Sequence, residues 1–304
     1  MTMTLLMSAE ARKMSDKLMR EQRLLLCVDM DGTVIPNGLQ PEHPDARKRF
    51  AALCHLPEVI LAYVSGRHLA LVQQAIINYR LPKPDFILSD VGSKIYHFSD
   101  QQWQEISAWE QKIDKDWRGK SHQQIMQMFD DIAELQRQEV DNQNTHKLSY
   151  YLPLHTDHES IIRQMQVRLK KENIDASLIW SVDEPKTIGL LDVLPKNATK
   201  LHAIEFLRHQ QGYSLNEVVF AGDSGNDLAV LSSEVPSVLV ANADEDIRLA
   251  AHQLAEQQGH QQALYLAGSA DLGMDGNYSA GVLEGVWHFL PGFRDRLRQI
   301  EVTE

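Results

Sequence analysis

Two acidic clusters, far apart in the chain, follow apolar runs. Asp29-Met30-Asp31-Gly32-Thr33 comes after Leu24-Leu25-Leu26-Cys27-Val28, and Asp223-Ser224-Gly225-Asn226-Asp227 comes after Glu217-Val218-Val219-Phe220-Ala221-Gly222. Each run reads as a short buried strand. In an open α/β sheet, ligands bind beyond the carboxyl ends of the strands, where these acids stand. Two acid-tipped strands meeting there would hold a divalent metal beside a carboxylate nucleophile, a combination suited to phosphoryl transfer. Asp29 and Asp31 are spaced i, i+2, which puts both side chains on one side of an extended segment. One carboxylate can attack phosphorus while the other protonates the departing oxygen and later takes a proton from water. Gly32 permits a tight turn, and Thr33 adds a hydroxyl. A calcium loop starting at Asp29 would need Gly at its sixth and Glu at its twelfth position; Val34 and Gln40 stand there.

Other polar residues fall at the expected strand ends. Glu58–Val64 leads into Ser65-Gly66-Arg67, where a helix begins; Ser65 and the amides of Gly66 and Arg67 would hold phosphoryl oxygens at its N-terminus. Lys200 opens a helical pattern and could neutralise phosphate and nucleophile together. Asp223 and Asp227 would complete a metal shell with Asn226 beside them as a metal or substrate contact, and Asn242 follows the strand-like Val238–Ala241. Mg²⁺ suits such a site, because it takes a few carboxylate oxygens plus waters and phosphate.

These residues must be positioned by strands alternating with helices: Leu24–Val28, Glu58–Val64, Asp85–Ser89, Val218–Ala221, Val238–Ala241 and Ala263–Leu266. That alternation predicts a doubly wound parallel α/β sheet. From about Tyr96 to Lys186 the text is richer in Gln, Trp and charge, with a helix expected at Ser121–Arg137, strands at Lys147–Leu152, Ser177–Val182 and Thr187–Leu194, and a helix at Glu159–Lys171. An inserted αβ domain is the simplest account. The expected division is an N-terminal extension over 1–23, core over 24–95, inserted domain over 96–190 and core again over 191–304.

Composition sets outer limits. The chain has 304 residues, 43 % apolar, and a formal charge of −12. Nucleic-acid binding is disfavoured, since such proteins concentrate Lys and Arg. No run approaches the ~18–20 apolar residues of a membrane helix. The N-terminus lacks a basic segment followed by a long apolar one, so it does not read as a signal peptide. Two cysteines give no disulfide framework, and the expected location is cytoplasmic.

As a set and in this order, Asp-Met-Asp-Gly-Thr, Ser-Gly-Arg, Lys200 and Gly-Asp-Ser-Gly-Asn-Asp resemble the motifs of haloacid-dehalogenase-like phosphatases. The resemblance implies Asp29 as nucleophile, Asp31 as general acid/base, Ser65 and Lys200 as phosphate contacts, and Asp29, Asp31, Asp223 and Asp227 around Mg²⁺. The insertion resembles the αβ cap of the Cof-like branch. Asp85–His97, Lys147–Tyr150, Leu191–Pro195 and Ser279–Val286 are similar to segments of sucrose-phosphate phosphatases, which implies sucrose 6-phosphate as substrate. Mannosyl-3-phosphoglycerate and glucosylglycerol-phosphate phosphatases share this core and cap, and a non-catalytic sugar-phosphate binder is the alternative of another class. Gly32 is a departure, since sucrose-phosphate phosphatases often carry Asn there. Lys94, Lys147, Ser149 and Tyr150 are candidates for sugar hydroxyls, and a sucrose-phosphate synthase is a candidate partner. Trp103, Trp109 and Trp117 could stack on a sugar, but packing is the simpler role.

Overall fold

The computed structural model describes residues 22–183, 186–268 and 273–303, with 298–303 as backbone only. The extension expected over 1–23 therefore lies outside the described residues up to position 21. The strands are β1 (Leu24–Val28), β2 (Val59–Val64), β3 (Phe86–Ser89), β4 (Lys94–Ser99), β5 (Gln102–Glu105), β6 (Gln136–Arg137), β7 (Leu148–Leu152), β8 (Ala176–Asp183), β9 (Ile188–Pro195), β10 (Val218–Gly222), β11 (Ser237–Leu239) and β12 (Leu264–Leu266). They fall into two compact units. Among the described residues, one comprises 22–63, Asn78–Asp85 and those from Arg208 onward; the other comprises Val64–Ile77 and those from Phe86 to Leu207.

The first unit is built on parallel strands in the order β12-β11-β10-β1-β2. Every residue of β1 and β10 is buried, as their unbroken apolar text requires of central parallel strands. The helix Ser279–Phe289 is buried over nearly its whole length. Small residues allow this: a Cβ at Gly285 would overlap the Val238 side chain, and one at Gly281 would crowd Val240. This segment, Ser-Ala-Gly-Val-Leu-Glu-Gly-Val, is thereby fixed by close helix–sheet approach.

In the second unit β3, β4 and β5 form an antiparallel meander. Separately, β6-β7-β9-β8 form an antiparallel sheet. The helix His158–Lys171, capped by Asp157, buries Ile161, Met165 and Leu169 in one cluster with Leu148, Leu152 and Leu191.

Two expectations need correction. The helix expected at Ser121–Arg137 is only His122–Gln127, opened by a Ser121/Gln124 capping box. Ile125, Phe129 and Ile132 keep helical spacing and are buried. Yet beyond Gln127 the backbone makes i→i+3 turns, Ile132 N–H to Phe129 C=O and Leu135 N–H to Ile132 C=O, before Gln136–Arg137 joins β7. Second, the hairpin β4–β5 was not among the expected elements; its polar residues alternate too weakly to announce it.

Candidate active site

In the first unit, β1 ends at Val28 and the chain turns. The amides of Thr33, Val34 and Ile35 all point at the Met30 carbonyl, at 3.3, 3.0 and 2.8 Å, and Asp31 bridges to Ile35. Gly32 has φ +75°, and any Cβ there would overlap the Asp223 carboxylate. Thr33 Oγ1 donates to Asp223 Oδ1 at 3.0 Å. The loop after β10 is held from within: Asp227 Oδ2 accepts from the amides of Asp223 (3.1 Å) and Ser224 (3.2 Å). Gly222 leaves room for that carboxylate, which a Cβ would strike.

The result is a carboxylate group of Asp29, Asp223 and Asp227, each offering an oxygen within 4.8 Å of the others. Asp29 is 4 % exposed and Asp227 fully buried. Clustered buried carboxylates repel one another unless a cation joins them, and hard oxygen donors fit Mg²⁺. Asp31, expected beside these acids, lies outside this close group and is bridged to Ile35 instead. Asn226 is exposed, with its Oδ1 3.3 Å from Ser224 Oγ.

Asn242, flagged as a strand-end residue, has a definite task. Its Nδ2 donates to the Gly32 carbonyl at 2.6 Å, and its Oδ1 accepts from Tyr278 N–H at 2.7 Å. Tyr278 is fully buried at φ +47°, and its hydroxyl accepts from Gly38 N–H at 3.2 Å. Sequence reasoning missed Tyr278; the turn chemistry of Asp275-Gly276-Asn277 was the available signal.

In the second unit, Ser65 is buried and its amide donates to the Leu88 carbonyl at 2.8 Å. Ser65 Oγ accepts from Arg67 N–H at 3.2 Å, while Gly66 is exposed. Lys200 is 2 % exposed at the start of the helix Lys200–Gln210. Thr199 caps that helix, its Oγ1 accepting from His202 N–H.

The four sugar candidates part company. Lys94 is buried, and its ammonium meets Glu105, Glu110 and Thr145 Oγ1. All three of its donors are thus committed to the protein. Tyr150 shares a strand face with Leu148 and Leu152 and lies in the hydrophobic cluster. Burial pushes its phenol up to about 12. Lys147 and Ser149 take the opposite face. Lys147 Nζ stands 3.6 Å from Asp90 Oδ1 and 3.9 Å from Asp192 Oδ2. Ser149 Oγ lies 2.5 Å from Asp192 Oδ1. Of the tryptophans, Trp109 and Trp117 are fully buried, as packing predicts.

A parallel α/β sheet with paired acids beyond β1 and β10 is the architecture of haloacid-dehalogenase-like hydrolases. The chain belongs to the sucrose-6F-phosphate phosphohydrolase family, whose sequence profile matches residues 22–290. A putative haloacid-dehalogenase-like hydrolase of Nitrosococcus oceani is 50 % identical over 274 residues, covering 90 % of this chain and 74 % of that protein. A mannosylfructose-phosphate phosphatase of Agrobacterium fabrum is 31 % identical, covering 75 % and 87 %. A glucosylglycerol-phosphate synthase of Pseudomonas anguilliseptica is 29 % identical over 76 % of this chain, which spans only 28 % of that protein. The fold is similar to that of the sucrose-phosphatase from Synechocystis in complex with sucrose and phosphate: TM-score 0.67, 23 % identity, 88 % of this chain and 98 % of that one.

Proposed function

We propose that this protein is a Mg²⁺-dependent phosphatase that hydrolyses sucrose 6-phosphate through an aspartyl-phosphate on Asp29. The group formed by Asp29, Asp223 and Asp227 carries this reading, in a chain of the sucrose-6F-phosphate phosphohydrolase family. Asp29, Asp223 and Asp227 would hold Mg²⁺, which when bound offsets the charge of carboxylates and phosphate. An Asp29 oxygen attacks phosphorus, and the bond from phosphorus to the sugar oxygen breaks. Asp31 gives its proton to that oxygen. Water then attacks the phosphoryl group, Asp31 takes the water proton, and the bond from phosphorus to Asp29 breaks. Ser65, with the Gly66 and Arg67 amides, and Lys200 hold the phosphoryl oxygens. Thr33 serves through Asp223. Residues 96–190 act as the cap that selects the sugar, with Lys147 its proposed contact.

A related osmolyte sugar phosphate is the second reading, favoured by the likeness to a mannosylfructose-phosphate phosphatase and a glucosylglycerol-phosphate synthase. The latter also motivates a partnership with a sugar-phosphate synthase. Phosphate release with Mg²⁺ across sucrose 6-phosphate, mannosylfructose phosphate, glucosylglycerol phosphate, mannosyl-3-phosphoglycerate and the hexose 6-phosphates decides between them. A large kcat/KM preference for sucrose 6-phosphate is expected. Normal turnover by Asp29→Ala would sink the mechanism, and release from none of the panel would leave a binding protein.

A further inference from the structure

The turn that closes the β3–β4 hairpin is strained. Asp90, Val91 and Gly92 have φ of +50°, +61° and +97°, and Val91 at ψ +19° is left-handed despite its branched Cβ. A β-branched residue pays for this conformation, so the surroundings must hold it. They do so from two sides. Val91 N–H donates to the Ser65 carbonyl at 3.1 Å and Asp90 N–H to the Arg67 carbonyl at 3.0 Å. The Val91 side chain stands over Gly66. On the other side, Gly92 lies against the backbone of Thr199 and Lys200; a Cβ would come within 2.5 Å of the Thr199 carbonyl oxygen and 2.9 Å of the Lys200 nitrogen. The Gly92 carbonyl accepts from Trp109 Nε1 at 2.9 Å, which fixes the peptide's orientation.

We propose that Asp90–Gly92 is a positioning element that sets the Ser65–Arg67 loop and the start of the Lys200 helix in register, with Gly92 and Trp109 as its positioning residues. The inference rests on the reading of Ser65 and Lys200 as phosphate contacts. One short turn makes backbone contacts with both, and no other residue type fits at Gly92. The free choice of a left-handed valine, where glycine or asparagine would be relaxed, is explained by its packing over Gly66.

The test uses the full chain and inorganic phosphate as probe, with Mg²⁺ present. Gly92→Ala should raise both the phosphate dissociation constant, read by calorimetry, and the KM for a phosphate ester by roughly 10-fold or more, since small misplacements of contact groups are costly. Trp109→Phe keeps an aromatic ring but removes the hydrogen bond to Gly92; it should shift both constants the same way, by about 3-fold, and it serves alone if Gly92→Ala does not fold. A purely structural role would lower the melting temperature and leave both constants of the folded protein unchanged, and that result overturns the proposal. If wild type binds phosphate but hydrolyses none of the sugar phosphates, weaker phosphate binding by the variants still supports the register while the substrate assignment falls. Wild type that does not bind phosphate overturns both.

Discussion

Thr33 Oγ1 donates to Asp223 Oδ1 at 3.0 Å, so a single hydroxyl joins the loop after β1 to the loop after β10. Gly32 brings the backbone against the same carboxylate. Asp223 is thus oriented from the Asp29 side of the group, and Asp227 from its own loop through the amides of Asp223 and Ser224. Groups that orient metal-binding side chains tune metal affinity, and losing one typically costs roughly 10–100-fold.

Thr33→Val keeps the shape and removes the donor. The Mg²⁺ concentration for half-maximal activity should rise roughly 10–100-fold, the usual effect of losing such a partner. Thr33→Ser should restore most of it. An unchanged Mg²⁺ requirement in the valine variant would detach Thr33 from the metal site.

Asp31 is assigned two proton transfers, and they can be separated. Asp31→Asn should slow hydrolysis of a sugar phosphate by roughly 10²–10⁴-fold, the range for a lost acid/base group. An aryl phosphate has a leaving group that needs no proton. With it, the variant should still phosphorylate Asp29 and then stall, giving a burst of phenol equal to the enzyme concentration. Steady release without a burst would show that Asp31 does not activate the water.

What the sequence disclosed follows from how local each signal is. The acid clusters and Ser65 follow strands whose apolar text is unbroken, and Lys200 opens a helix, so motif and element were legible together. The partners of Lys94 were not: Glu105 and Glu110 reach it through the β4–β5 hairpin and the helix Ser107–Ile113, and no local pattern announces that meeting. Lys147-Leu148-Ser149-Tyr150 shows the opposite case. The strand period places Tyr150 with Leu148 in the hydrophobic cluster and Ser149 opposite, a distinction the text already contained. The shortened helix after Ser121 kept its helical spacing of apolar residues while its hydrogen bonds became turns, because burial rewards the positions of Phe129 and Ile132 whichever way the backbone is bonded.

Burial raises the Asp192 carboxyl above its ordinary 3.8, against the pull of Lys147 and Ser149. The folded state therefore binds this proton more tightly than the unfolded chain does. By linkage, the contribution of Asp192 is most favourable below pH 3.8 and declines as pH rises through its folded pKa. Asp192→Asn cannot titrate, so its stability should lack that decline. Urea unfolding of both proteins at a series of pH values just above 4 checks this; parallel curves would contradict it.

Lys94 gives the sharpest distinction between a structural and a substrate-binding lysine. Its ammonium is held by Glu105 and Glu110, which raise its pKa although burial works the other way. The Lys94 contribution is thus complete below 10.5 and is lost only as pH rises through the raised folded value. Lys94→Met would leave the two carboxylates facing each other without a cation. The cost should be about 2 kcal/mol, below that of a fully buried pair because Glu105 and Glu110 keep part of their surface in water. The loss should shrink as pH falls toward the carboxylate range, where one acid takes up a proton and the repulsion ends. Glu105, already pushed upward by burial, is the one expected to protonate first. Since no Lys94 donor is left for a sugar, the KM of folded Lys94→Met should match wild type. A KM raised tenfold in a variant with wild-type stability would return Lys94 to the sugar site and remove it from the scaffold.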